Sequence, residues 1–277
     1  MRIEVLVCTI NERIVDVPQL FIAPRDDVGY VVSMQYTDER YLDMIPDVIR
    51  NRKDVRLVLL EGKGLCRNRN NALKAATAEI ALIADDNVHY CDEYFDNVFK
   101  VFNENKNVDI AQFKVKSAYY EGIPNRYPAH SCTYPNVARG MFVTSIEMAL
   151  RVSTVRGKVW FDERFGLGSP YFNCGEESVF VHNAVQAGLT VTYFPLYAVE
   201  HDVPGTGSNV YTDERVMMAM GAAQYLINGS SAYLRMLKWA LVNALKGKCS
   251  FLKVTRGTFK GINYYRKVVQ YESPIGR

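Results

Sequence analysis

The sequence has no CxxC pair and no cysteine cluster; its six cysteines are scattered through 277 residues. That excludes a disulfide framework and a zinc module built on paired thiols. Cys8 and Cys66 stand among apolar or small residues and read as reduced, intracellular thiols. A glycine-rich lysine loop and a GxGxxG turn are both missing, which disfavours an ATPase and a dinucleotide-dependent oxidoreductase. Met1 runs straight into a strand-like stretch, so no secretory signal is expected. The longest uncharged run, Val216 to Leu234, approaches spanning length. It holds Gln224, Asn228, Gly229, Ser230 and Ser231, so a lipid-spanning helix is not expected. Acid is absent from one long stretch: Arg215 to Tyr271 has no Asp or Glu and ten Lys or Arg. Taking those ten from 33 basic residues leaves 23 against 30 acids, so the rest of the chain carries −7. An acidic body with a basic, aromatic-bearing tail suggests a negatively charged partner.

What is present can build a core. Apolar residues make up 48% of the chain and charged ones 23%, which excludes disorder, collagen and coiled coil. Strand-like and helix-like segments alternate over the first 200 residues. Ile3–Ile10, Gly29–Thr37 and Val55–Glu61 are short apolar or β-branched runs. Residues 64–76 read as a helix entered through a glycine, 79–87 as a strand ending in adjacent acids, and 92–102 as a helix with Phe95, Val98, Phe99 and Phe102 on one face. Val108–Lys116 alternates as a strand. Glu176–Leu189 reads as a helix closed by Gly188, and Thr190–Phe194 as the strand after it. The alternation predicts an α/β fold with a mostly parallel sheet flanked by helices, whose ligands bind beyond the carboxyl ends of the strands. The pattern changes near Gly207. The expected organisation is a domain over 1–207 and a basic helical extension over 208–277, with 214–246 helical.

Four segments could carry chemistry. In IADDNVHY, Asp85 and Asp86 end an apolar strand, and carboxylates at a sheet edge are hard oxygen ligands suited to Mg²⁺ or Mn²⁺. Asp and Asn also serve ordinary strand-to-helix turns. In GLCRNRNNAL, Arg67 and Arg69 beside a helix start make a possible anion site, or a solvated basic face. In FDERFGLGSPYFNCGEESVF, Glu176 and Glu177 open a helix, where the dipole favours carboxylates and where a general base could also stand. His201 lies just past a strand in AVEHD, as a structural residue or a ligand.

Taken in order, CTINER, GLCRNRNNAL, ADDN, FDERFGLGS…GEESVF and YAVEHD resemble the family 2 glycosyltransferases, over roughly residues 3 to 202. The resemblance implies an inverting enzyme of the GT-A fold, hexosyltransferase-like, of the kind found in bacterial polysaccharide biosynthesis. It implies that Thr9, Asn11 and Glu12 bind the base and ribose, that Arg69 and Asn70 match the arginine–asparagine pair of the nucleotide-site helix, and that Asp85 and Asp86 form the acidic metal motif. Asp86 would be the direct ligand of Mn²⁺ or Mg²⁺, with Asn87 and His201 as further metal ligands or neighbours. Glu177, or its neighbour Glu176, would be the base that deprotonates the acceptor hydroxyl.

Three departures stand out. The acidic motif ends in a neutral amide, Asn87. The base position holds Glu where the family usually has Asp. Of the acidic segment after the second strand, only Asp38 remains nearby. The implied partners are a nucleotide-sugar donor, UDP by the family's habit, and a saccharide or lipid-linked acceptor. The chemistry agrees independently: one carboxylate base suffices for a single inverting displacement, whereas a retaining double displacement needs a nucleophile as well. A non-catalytic nucleotide-sugar or glycan binding protein on the same fold is the alternative.

In the tail, Leu234, Leu237, Leu241 and Leu245 share one helical face, with Arg235, Lys238, Asn243 and Lys246 largely opposite and Trp239 on the basic side. The position of Trp239 suits a membrane interface. The expected location is cytoplasmic, peripheral at the inner face of the plasma membrane on an anionic surface. A helix pair packed on the protein with a solvated basic face is the other reading. No nucleic-acid motif accompanies the charge, so nucleic acid is not an expected partner.

Overall fold

The computed structural model describes residues 1–137, 141–201 and 209–275. The chain divides into two compact units. The first comprises Met1–Lys63, Asn68–Trp160 and the segment from Asn183. The second comprises Gly64–Arg67, Phe161–His182 and the C-terminal segment. The boundary expected at 207/208 lies outside the described residues. The second unit also differs from a plain C-terminal extension, because it takes in 64–67 and the glycine-rich 161–182 block.

The first unit is built on one sheet. Its strands are β1 (Ile3–Ile10), β2 (Val28–Tyr36), β3 (Val55–Glu61), β4 (Ile80–Asp85), β5 (Ile110–Lys116), β6 (Cys132–Thr133), β7 (Met148–Arg151) and β8 (Val191–Glu200), ordered β3-β2-β1-β4-β7-β5-β8-β6. β1 pairs parallel with β2 and β4, and β2 with β3. The short β7 enters antiparallel between β4 and β5, and β6 pairs antiparallel with β8. The sheet is therefore mixed and mostly parallel.

β1 is buried along nearly its whole length, as an apolar β-branched run in a sheet covered on both faces should be. The exception in its composition is Glu4, whose carboxylate accepts from Arg56, from the Thr77 hydroxyl and from the backbone N–H groups of Thr77 and Ala78. A buried charge held by that many donors is tolerated. α1 (Asp47–Asn51) packs beside β3, and α2 (Leu65–Ala75) leads from β3 to β4. α3 (Asp92–Glu104) lies against β8 and buries Phe95, Val98 and Phe102. Two single turns, α4 (Ala118–Glu121) and α5 (Val152–Val155), follow β5 and β7.

The second unit holds the start of α6 (Glu176–Gln186), then α7 (Glu214–Asn228), α8 (Ala232–Leu245) and α9 (Phe251–Lys267). Its core gathers Phe165, Phe172, Val179, Ala219, Ala222, Ala223, Tyr265 and Val269. Arg164 forks onto Asp162 at 2.6 and 2.9 Å and donates to the carbonyls of Val269 and Glu272. That fork ties the start of the glycine-rich block to the end of the chain.

Two expectations for the tail are corrected. The span 214–246 is two helices, because Gly229 at φ 58° ends α7 in a backbone region open to glycine. Trp239 does not face outwards: it stacks on Tyr211 with ring centroids 5.4 Å apart and packs against the cluster of Met217, Ala240 and Val254. The face α8 buries is Ala232, Met236 and Ala240. Two alanines on that face let α8 sit close, and the leucines are turned to the opposite side. None of the described helices is long and apolar enough to cross a membrane.

Candidate active site

β1 runs between β2 and β4, so the carboxyl ends of these strands meet at the point where the strand order reverses. A crevice for ligands opens there in doubly wound sheets. The register pairs Cys8 with Asp85, which brings Thr9 alongside Asp86. The Thr9 hydroxyl donates to Asp86 Oδ2 at 2.8 Å, and both groups are buried. Arg13 closes over the same carboxylate: its Nε donates to Oδ2 at 2.8 Å and its Nη2 donates to Oδ1. Asp86 is 5% exposed and Arg13 53% exposed, so the pair has one fixed partner and one that can swing into solvent. Asp85 is more open and accepts from Arg69 Nη2 at 3.1 Å.

Arg69 has a different duty from that of an exposed phosphate clamp. It is buried, and its Nη2 also donates to Ser145 Oγ at 2.6 Å. A guanidinium spent on a carboxylate and a hydroxyl orients Asp85 and offsets its charge. Asn70 is buried on the same helix, while Arg67 is exposed. Asn68 donates from Nδ2 to the Thr9 carbonyl at 2.9 Å, which pins α2 to the end of β1. Its Oδ1 is buried without a hydrogen-bond partner among the described residues, and so is Nε2 of Gln35 at the end of β2. Buried polar atoms of this kind are satisfied by ligand or water, and both stand at the ligand end of the sheet. Burial pushes the Cys8 thiol up to about 12, with Arg69 pulling the other way, so it stays a neutral packing group.

Asn11 takes a left-handed φ of 53° and turns its side chain onto Thr37: Oδ1 accepts from the Thr37 N–H at 2.9 Å, and Nδ2 donates to its hydroxyl at 3.1 Å. This joins the ends of β1 and β2. Glu12 is exposed. Asp38, also exposed, caps the turn over residues 39–44 by accepting from the Arg40 N–H. His201 is buried past the end of β8, with its N–H on the Lys116 carbonyl at 3.2 Å.

Asp85 and Asp86 are hard oxygen donors of the right type for a divalent cation. Asn87 is exposed, and among the described residues no group of three or more His, Cys, Asp or Glu is placed to hold a metal. Asp85, Asp86 and His201 thus do not come together as such a group. A cation fits at the two carboxylates on condition that Arg13 moves off Asp86.

In the second unit, Glu176 and Glu177 open α6. Glu176 is buried and Glu177 half-buried. Gly166, at φ 92°, lets the loop pass this helix end; a Cβ there would meet Cys66 Sγ at 3.0 Å and Glu176 Cδ at 3.4 Å. Gly175 at φ 93° turns the chain into α6, and its Cβ would press on Ala223 at 3.3 Å. Both are positions where only glycine fits without strain. Burial, with Glu176 and Glu177 nearby, pushes the Cys174 thiol well above its ordinary value. A cavity of about 580 Å³ in this unit is lined by residues that include Tyr171, Asn173, Asn209, Asp213 and Arg215. The Asn173 Oδ1 is buried there without a hydrogen-bond partner among the described residues.

Sequence reasoning missed Arg13, Asn68, Gln35 and Ser145. Arg13 lies in NER, four residues past Thr9, where its charge was a legible signal. Ser145 lies 76 residues from Arg69 and had none.

No protein-family model and no curated protein matches the sequence. Solved structures do. S. aureus TarS 1–349 aligns with a TM-score of 0.61 at 15% identity, over 96% of this chain and 92% of that one. The same fragment in complex with UDP-GlcNAc gives 0.57 at 15% identity over the same shares. The mannosyltransferase PcManGT from Pyrobaculum calidifontis, in complex with GDP-Man and Mn²⁺, gives 0.57 at 14% identity, over 98% of this chain and 88% of that one. These neighbours are GT-A glycosyltransferases, and the likeness gives this chain the GT-A fold.

Proposed function

We propose that the chain is an inverting, metal-dependent glycosyltransferase of family 2. It moves a hexose from a nucleotide-sugar donor to a hydroxyl of a saccharide or lipid-linked acceptor, on the cytoplasmic face of the membrane, in cell-surface polysaccharide synthesis. The observation that carries this reading is the adjacent pair Asp85 and Asp86 at the carboxyl end of β4, each held by a dedicated arginine, in a GT-A fold. The fold neighbours' complexes with UDP-GlcNAc, UDP and GDP-Man support the donor class.

In this mechanism Thr9, Asn11, Glu12 and Asp38, gathered at the ends of β1 and β2, receive the nucleoside. Arg69 and Asn68 act as positioning residues, one holding Asp85 and the other the Thr9 backbone. Asp85 and Asp86 would hold a divalent cation, Mn²⁺ or Mg²⁺, which would supply neutralisation of the leaving diphosphate. Glu177, the more accessible acid of α6, takes the proton of the acceptor hydroxyl, with Glu176 as the second candidate. The acceptor oxygen bonds to the anomeric carbon as the bond to the diphosphate oxygen breaks, and the nucleoside diphosphate leaves with the electron pair. The cavity lined by Tyr171, Asn173 and Arg215 has the aromatic and polar character a saccharide needs.

The Arg13–Asp86 pair favours a second reading, in which the fold binds a nucleotide sugar without turning it over. A screen of nucleotide sugars for nucleoside diphosphate release with Mn²⁺ separates the two. Release that is lost on chelation supports the enzyme. Saturable donor binding with no release under any metal supports the binding protein.

A further inference from the structure

We propose that the outward face of α8, with the basic outer face of α9 beside it, is a docking surface for an anionic lipid bilayer, the helix lying in the plane of the interface. The surface would bring the proposed enzyme to a lipid-linked acceptor and in that sense rests on the function above, but its own test involves neither donor nor acceptor.

Helix α8 turns Ala232, Met236 and Ala240 inwards and its leucines outwards. Ala232, Met236 and Ala240 are buried, while Leu234, Leu237, Leu241 and Leu245 are exposed on the opposite side. Leu234 is 72% and Leu245 80% exposed. A solvated helix puts polar residues there, and a continuous stripe of leucines turned to water marks a surface that something covers. Leu252, 77% exposed, opens the outer face of α9, which continues through the exposed Arg256, Lys260 and Lys267 at helical spacing. The two helices are joined through Ala232, Met236 and Ile262, with Tyr233 edge-on to Phe259.

Charge selects the occupant. Arg235, Lys238, Lys246 and Lys248 are exposed along and just beyond α8. A cavity of about 630 Å³ is lined by Leu252, Lys253, Arg256 and Lys260, with Glu214 its one acid. Glu214 is taken by Lys260 at 2.7 Å. No Asp or Glu occurs from Arg215 to Tyr271. A second copy on this face would set the exposed lysines and arginines of α8 and α9 against like charges. A bilayer with anionic headgroups offers both an apolar interior for the leucines and a negative surface for the flanking cations.

The test is sedimentation of the full chain with phosphatidylcholine vesicles with and without phosphatidylglycerol. Binding is expected to the anionic vesicles, and to fall at least about tenfold between roughly 0.1 and 1 M salt. The L241D/L245D variant should lose at least about tenfold in binding, with its helical circular dichroism unchanged, since both leucines are exposed. In the single variant L245W, tryptophan emission should shift to the blue on anionic vesicles. Absent binding at low salt, equal binding of L241D/L245D, or an unshifted L245W emission would overturn the proposal. So would a dimer that dissociates in L241D/L245D without vesicle binding, because a second copy would then own the stripe. Vesicle binding by a chain that releases no nucleoside diphosphate would leave the surface standing and remove only the enzyme assignment.

Discussion

Arg13 spans both carboxylate oxygens of Asp86, and the two residues stand at the ends of neighbouring parallel strands. Asp86 is fixed by burial and by Thr9, whereas the Arg13 side chain is half in solvent. A guanidinium on a carboxylate competes with a divalent cation for the same oxygens. Arg13→Ala should therefore tighten Mn²⁺ binding several-fold, read by electron paramagnetic resonance of free Mn²⁺ in the absence of donor. Asp86→Ala should weaken that binding and lower transfer by about 10²-fold or more, the order expected when a main electrostatic contributor is removed. Unchanged Mn²⁺ affinity in Arg13→Ala would show that the cation binds elsewhere.

Glu177 and Glu176 differ in exposure although they are neighbours on one helix turn. The more accessible group is the better placed to take a proton from an incoming hydroxyl. Glu177→Gln should cut transfer by about 10²–10⁴-fold, the usual worth of a general base, while donor affinity measured by calorimetry stays the same. Full turnover in that variant moves the role to Glu176.

The parallel strands and their helices were legible because short, mostly apolar or β-branched runs such as Ile3–Ile10 and Val55–Glu61 favour strands. The acids at the end of β4 were legible because carboxylates ending a core strand are costly without a purpose. β7 was not, since four residues paired antiparallel between two longer strands carry no period of their own. Pairings such as Arg69 with Ser145 depend on tertiary approach and leave no local trace. Which way α8 turns its leucines is open between two readings in the sequence alone, for a physical reason. Amphipathic patterning names the apolar side but not whether it turns inwards, and here Ala232, Met236 and Ala240 won the interior through close packing.

His182 gives the stability a pH dependence. Burial alone lowers its pKa below the ordinary 6.5, so the folded state binds the proton less readily than the unfolded chain. Stability is therefore full above about pH 6.5 and falls as the pH drops from there through the depressed folded value. His182→Gln removes that loss. The group is part-exposed, so the difference between wild type and variant is roughly a few tenths of a kcal/mol after screening. Thermal melts from about pH 8 to about pH 5 should show the wild type falling relative to His182→Gln on the acid side. A fall on the alkaline side contradicts the assignment.

Helices α7 and α9 approach so closely that two glycines are backbone-to-backbone contacts. A Cβ on Gly221 would stand 2.1 Å from the Thr258 carbonyl oxygen, and one on Gly261 would stand 1.9 Å from that of Met218. Neither carbonyl can rotate away without breaking its helix, so the helices must separate and open the packing around Ala219, Ala222 and Tyr265. Gly257 is crowded by a side chain instead: its Cβ would meet Met217 Sδ and Met217 Cβ, both at 2.8 Å, of which only the sulfur can move with the rotamer. Overpacking of a core costs about 1–3 kcal/mol, and more when backbone must yield. Gly221→Ala and Gly261→Ala should each lower the melting temperature by about 4–10 °C, and Gly257→Ala by less, because relieving 2.8 Å to a side chain needs a smaller shift than relieving 2.1 or 1.9 Å to a carbonyl oxygen. The reverse order, with Gly257→Ala the most damaging, would mean that α7 and α9 do not meet through these two glycines.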